Sequence, residues 1–182
     1  GYVQNTVKKA SDHIYNASPD SAAYYINKAE SYIPDHPVIP LMRAMSILWS
    51  NIPLISEELF LEMEVQLDLA IGKAKTQDPD LEDPEMIFFA MASYGLLAEY
   101  YADQGSTMKA VGEANRAYGL MKKGFEIVDE HPEFLLTTGL YNYFREKYPE
   151  RHPIYKPLLW FFRSGDLELG LDQLERACTE SF

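Results

Sequence analysis

Residues 94–117, YGLLAEYYADQGSTMKAVGEANRA, decide how this chain folds. Tyr94, Leu97, Ala98 and Tyr101 recur at three- and four-residue spacing, so they share one stripe of a helix. Gly105 supplies a turn, and Ala110, Ala114 and Ala117 form a second stripe beyond it. Two helices with such stripes fold back on each other as a hairpin. Small residues let the backbones approach, and bulky ones fill the groove left for the next hairpin. A single hairpin leaves an apolar face in water, so it needs neighbours.

Those neighbours are written on both sides. Apolar residues recur at three and four spacing almost throughout, while period-two alternation and Asn-Gly or Asp-Gly hairpin turns are missing. The pattern predicts an all-α fold. Helix one covers about residues 2–16. Helix two has Ser18 as cap and Pro19 at its first position, carries Ala22, Ile26 and Ala29 inward, and stops before Pro34. Helix three covers 37–51, with Leu41, Ala44, Met45 and Leu48 on its inner stripe. Ser56 caps helix four, Glu57 and Glu58 occupy its first turn, and Leu67, Ile71 and Ala74 face inward, with Pro79 beyond. Helices five and six cover 84–104 and 107–129, and helix seven 132–148. Residues 149–157 hold three prolines and read as a break, followed by a short helix near 154–163. After Ser164-Gly165-Asp166 the last helix carries Gly170, Leu174 and Ala177. The grouping is four hairpins, about 2–33, 37–78, 84–130 and 132–182, in one domain.

The order bulky, Leu, small, Tyr, Gly, then small residues resembles the tetratricopeptide (TPR) repeat. Helices two and four share its four, three, five spacing, closing on Pro34 and Pro79. The resemblance implies an α-α superhelix, a right-handed solenoid of about four hairpins, that binds other proteins. The landmarks Ala29, Ala74, Ala117 and Ala177 lie 45, 43 and 60 residues apart. A usual TPR repeats every ~34 residues, so these units are elongated and degenerate. Leu41 or Tyr94 stands where Trp is usual, Ala114 where Phe is, and Lys122 where Pro is. The Gly turn and Pro positions fit TPR better than HEAT repeats. Thr138-Gly139-Leu140-Tyr141, then Phe161-Phe162-Arg163-Ser164-Gly165-Asp166 and Gly170-Leu171, resemble the outer-membrane and inclusion-clearance TPR family of eukaryotes. They also resemble uncharacterised TPR-like proteins of bacterial envelopes, which favours a bacterial cell envelope over the cytoplasm as the expected location.

Composition bounds the function. The chain has 182 residues, a net charge of −12 and 47% apolar residues, including thirteen Tyr and nine Phe. That is enough chain for a sizeable core. Nucleic acid is not an expected partner, because phosphate binding needs clustered Lys and Arg. A basic peptide or protein suits the charge, although acidity also serves solubility alone. The strongest apolar run, 158–162, is far short of the ~20 residues that span a bilayer. Gly1 and the unfinished helical pattern at Phe182 suggest a piece of a longer chain, with a leader or further repeats outside it.

Candidate sites each have a simpler reading. His36, His131 and His152 each precede proline. They lie too far apart for zinc-ligand spacing and suit helix starts. His13 stands alone in helix one. Asp78, Asp80, Glu82 and Asp83 lack the turn Gly and terminal Glu of a calcium loop and suit helix capping. Asn16-Ala17-Ser18 is a formal glycosylation triplet with no assigned role. Cys178, the single cysteine, lies next to Ala177 on the last helix and reads as a small buried apolar residue. Tyr141, Tyr143, Phe144, Tyr148, Tyr155, Trp160, Phe161 and Phe162 can line a ligand groove or simply pack.

In TPR arrays the first helix of each hairpin lines the concave groove. That register implies Met42, Ser46, Trp49, Glu99, Asp103, Tyr155, Phe162 and Arg163 as groove residues. Gly95 and Glu99 stand where the basic clamp for a carboxylate tail would be, so that ligand is not expected. No P-loop, dinucleotide fingerprint, nucleophile elbow or zincin motif is present, so neither cofactor, metal nor catalysis is expected. The leading expectation is a protein-interaction scaffold. The alternatives are a small-molecule or glycan binder with an aromatic cleft, and an enzyme using Glu99 and Asp103 as paired carboxylates.

Overall fold

A computed structural model describes residues 1–52, 55–151 and 162–180. Among them are eight α-helices and no strand: α1 (Tyr2–Tyr15), α2 (Pro19–Glu30), α3 (Val38–Ser50), α4 (Glu57–Gln77), α5 (Pro84–Asp103), α6 (Thr107–Ile127), α7 (Leu135–Arg151) and α8 (Leu167–Glu180). The all-α expectation holds, and neighbouring helices pack on each other. The expected short helix near 154–163 falls largely outside the described residues, as do His152, Trp160 and Phe161. The chain divides into two compact units, Gly1–Leu120 and Met121–Phe182.

In the first unit α1 to α5 pack each on the next, and α1 also touches α3, as α3 touches α5. The inward faces include the small residues read from the sequence, Ala22, Ala29, Ala44 and Ala74, and two not singled out there, Ala10 and Ala70. Ala10, Ala22, Ala29, Ala44, Ala70 and Ala74 are wholly buried, and backbones close on them because nothing beyond Cβ intervenes. Ile14, Ile26, Ile39 and Met42 fill the space between, with Phe89 of α5 packed against them. Arg43 of α3 reaches back to α2 with two bonds to Glu30, at 3.0 and 2.6 Å, and one to Asn27.

The turns use specific devices. Ser56 Oγ accepts Leu59 N–H at the start of α4, as expected. Ser18 occupies the cap position of α2, but its hydroxyl donates to Asn16 C=O instead. Ala17 takes a left-handed conformation (φ 49°) while Ser18 N–H reaches His13 C=O, closing α1 as a glycine would. Gly105 does the same at φ 72° after α5. The 78–83 connection spends its acids on backbone N–H groups. Asp78 accepts from Glu82 and Asp83, and Asp83 caps α5 through Glu85 and Met86.

Two stripes differ from expectation. On α6, Ala110 and Ala117 are buried but Ala114 is exposed. At ~100° per residue, 113, 117, 120 and 124 cluster to one side of Ala110, and 114 falls on the other. Pro149, expected to break the chain, lies inside α7. It sits in the last turn, so the loss of its N–H, which would reach the carbonyl four residues earlier, loosens only the end of the helix.

In the second unit α7 and α8 cross at glycines. A Cβ on Gly170 would stand 2.7 Å from Tyr143 N and 3.0 Å from Gly139 O, so the two backbones touch there. Beside this crossing, buried Asn142 donates to buried Gln173 at 2.9 Å. Asp166 Oδ1 caps α8 by accepting Leu169 N–H. Cys178, expected to be buried, is exposed: it stands ~100° around α8 from buried Ala177, off the inward stripe.

Candidate functional site

Each helix of the first unit presents residues to solvent opposite its buried stripe, and the expected groove residues belong on those faces. Met42 is not among them. It is 4% exposed and belongs to the core beneath α1 and α2. On a helix packed against α1, α2, α4 and α5, the turn holding Leu41, Met42 and Ala44 faces inward on more than one side. Ser46 is half-buried and lines a cavity of about 240 Å³ with Ala23, Asn27, Arg43, Ile47 and Glu62. That is below the ~300–1,000 Å³ of small-molecule sites. Trp49 is 41% exposed and meets exposed Tyr15 edge to face, ring centres 5.4 Å apart.

Glu99 on α5 is exposed, as is Asp103 one turn further along the same helix. Asp103 acts on its neighbour: burial first, then this carboxylate's charge, pushes the Tyr100 phenol up. Phe162 and Arg163 lie in the second unit. Phe162 is half-buried, and the Arg163 guanidinium stands 4.4 Å over the Phe125 ring while its carbonyl accepts the Tyr141 hydroxyl at 2.6 Å. Tyr155 lies outside the described residues. The structure therefore joins Trp49 to Tyr15 and Ser46 to a small cavity, and places Met42 in the core.

The sequence pattern gave no sign of a polar seam between α4, α5 and α6. Tyr101 OH donates to Glu64 in a short hydrogen bond. Lys109 stands 4.8 Å over the Tyr101 ring, and Arg116 pairs with Glu113 at 2.5 Å. Burial, then the Glu64 bond and the charges of Glu64, Asp68 and Glu113, drive the Tyr101 phenol well above its ordinary range. The Asp68 carboxyl is also raised. Loss of hydration at the seam's edge leads, with Glu64 and Glu113 adding, and Arg116 and Lys109 opposing. Glu64 and Asp68 at i, i+4, and Lys109, Glu113 and Arg116 at i, i+4, i+7, were readable as charged stripes. Their convergence was not, since it depends on which helices meet.

A second feature is exposed aromatic surface on α1 and α2. Tyr2 and Tyr32 meet edge to face at 5.5 Å, and the Lys28 ammonium stands 5.3 Å over Tyr2 and 5.9 Å over Tyr24. A hydrogen bond with Tyr2 raises the Lys28 pKa and lowers that of Tyr2.

Two histidines, His36 and His131, sit at turns. His36 Nδ1 accepts Val38 N–H at 3.2 Å and Nε2 lies 3.3 Å from Glu85, so the 34–37 turn is tied to α5. Lys73 and Gln77 of α4 donate to the Pro34 and Asp35 carbonyls of the same turn. His131 Nδ1 sits 3.2 Å from Glu133. Among the described residues no group of three or more His, Cys, Asp or Glu is placed to hold a metal ion. No helix among them is long and apolar enough to cross a membrane.

Comparison with protein-family models, curated proteins and solved structures finds no match to this chain.

Proposed function

We propose that this chain is a TPR-like, right-handed superhelical interaction module that binds a protein or peptide segment, and that it does no catalysis. The observation that carries the reading is the exposed Tyr15–Trp49 pair, which joins the first helices of two successive hairpins. Aromatic rings on that face offer large contact area at low entropic cost, which is how hot spots are built. The α1–α3 and α3–α5 contacts support the stacking, because a solenoid places its first helices side by side. The net charge of −12 favours a basic partner, and nucleic acid and anionic lipid are disfavoured. The resemblance to TPR-like proteins of bacterial envelopes favours a bacterial cell envelope as its location. The competing glycan or small-molecule binder needs a deeper cleft than the ~240 Å³ beside Ser46.

Selection of a displayed random-peptide library on the full chain tests the reading. Enriched peptides should bind with micromolar affinity, and Trp49→Ala with Tyr15→Ala should weaken them at least about tenfold, the cost of an aromatic hot spot. A library that yields no binder, together with a thermal shift from a glycan or metabolite panel, overturns it.

A further inference from the structure

The outer face of α4 carries a stripe that no part of the described chain covers. Leu61, Val65 and Leu69 are 54%, 56% and 47% exposed. Single exposed apolar residues are ordinary. These three recur every fourth residue, so they align along about 12 Å of helix surface. They lie opposite the buried stripe of Met63, Leu67, Ala70 and Ala74, facing away from both α3 and α5. Exposed Glu62 borders the stripe on one side and Asp68 on the other, with Glu58 between turns.

The exposed charge bordering it is mainly acidic: Glu58 and Glu62 carry it, while Asp68 has Lys109 and Arg116 near it and Arg43 lines the cavity beside Glu62. α4 itself holds five acidic side chains, Glu57, Glu58, Glu62, Glu64 and Asp68, and two basic ones, Lys73 and Lys75. Both lysines are committed elsewhere: Lys73 donates to Pro34 C=O at 2.7 Å, and Lys75 stands 5.5 Å over the Tyr94 ring. Among the described residues no ion pair involves Glu58 or Glu62.

We propose that the Leu61–Val65–Leu69 face docks a basic amphipathic helix of a partner protein. The inference rests on the interaction-module reading but assigns a different surface and a definite form of partner. Apolar anchors at i, i+3, i+4 and i+7 of an incoming helix match the stripe's spacing. Lys or Arg flanking those anchors meets Glu58, Glu62 and Asp68. An extended segment fits poorly, because a helix surface offers no backbone groups to pair with its N–H and C=O. A second copy of this chain would bring the same acids against themselves, and an anionic lipid surface would repel them.

The test uses the full chain and a fluorescein-labelled 16-residue helical peptide with Leu on one face and Lys elsewhere, read by anisotropy. Two control peptides carry Glu in place of Lys, or the same composition with Leu dispersed. The Leu-face Lys peptide should bind at least tenfold more tightly than either control. The triple variant L61S/V65S/L69S should weaken it at least tenfold, and E58K/E62K severalfold, with loss of affinity as salt rises. These positions are exposed, so the variants should keep the parent circular dichroism. W49A should leave the affinity within twofold. Equal binding of a control peptide, or insensitivity to the triple variant, overturns the proposal. Weakening by W49A alone overturns it and leaves the broader reading standing. Sedimentation that shows a dimer abolished by L61S/V65S/L69S assigns the face to a second copy and overturns it too. Failure of the displayed library as well as this peptide removes both.

Discussion

Replacing Gly170 with alanine adds one methyl group at the closest point of the second unit. The new Cβ would stand 2.7 Å from Tyr143 N, 3.0 Å from Gly139 O and 3.1 Å from Asn142 Cβ. The first two are backbone atoms and cannot swing aside as a side-chain tip can. Relief to an ordinary contact of about 3.5 Å requires α7 and α8 to part by nearly 1 Å. The Asn142–Gln173 bond, at 2.9 Å, then passes beyond hydrogen-bonding distance, and both amides stay buried. Overpacking costs about 1–3 kcal/mol and an unpaired buried amide about 1–3. Alanine returns about 0.5–1 kcal/mol through helix propensity, so the net loss is about 2–4 kcal/mol. Gly112, inside α6, is the control: no neighbouring atom lies within 4 Å of where its methyl group would stand, so the same substitution should add stability. Urea unfolding followed by circular dichroism measures both, and hydrogen exchange places the loss in α7 and α8. If Gly170→Ala is as harmless as Gly112→Ala, the backbones do not cross there and the reasoning fails.

Three further outcomes follow from the first unit. Ala17→Gly should stabilise by about 0.5–1 kcal/mol in urea unfolding, because Ala17 sits at φ 49°. Met42→Ala should cost about 2–4 kcal/mol as a core truncation, while Trp49→Ala costs well under half of that, and a reversed order would return Met42 to the groove. Asp68 has a raised pKa, so the folded state binds its proton more tightly and loses stability as pH rises through the carboxylate range. Asp68→Asn should therefore raise the melting temperature at neutral pH, with the gain vanishing as acid protonates the parent carboxyl, and a gain that persists in acid would remove the charge from the explanation.

Much of the local structure was legible in residues. Ala22, Ile26 and Ala29 in α2, and Leu67, Ile71 and Ala74 in α4, are all buried as their spacing predicts. Ser56, Asp83-Pro84 and Gly105 mark boundaries through their own chemistry, and each stands where that chemistry acts. The misplacements of Met42 and Ala114 have one source. Met42 and Ala114 lie near the edge of an inward stripe, and periodicity cannot say how wide that stripe is. Its width depends on how many helices surround the one being read. Ser18 was placed correctly and its hydroxyl was not, since a rotamer choice decides that bond.

By itself the sequence determined that the described chain is helical, where most of its helices start and stop, and which small residues of α2 and α4 face inward. Those properties depend on contacts within about one helical turn, and one turn is visible in a line of residues. Only the tertiary structure decided that Tyr101 meets Glu64 across 37 residues, that Gly139 lies against Gly170, and that nothing in the described chain covers Leu61, Val65 and Leu69. Those facts follow from which helix faces pack together. An exposed apolar stripe and a buried one have the same spacing, and a neighbouring helix is what tells them apart.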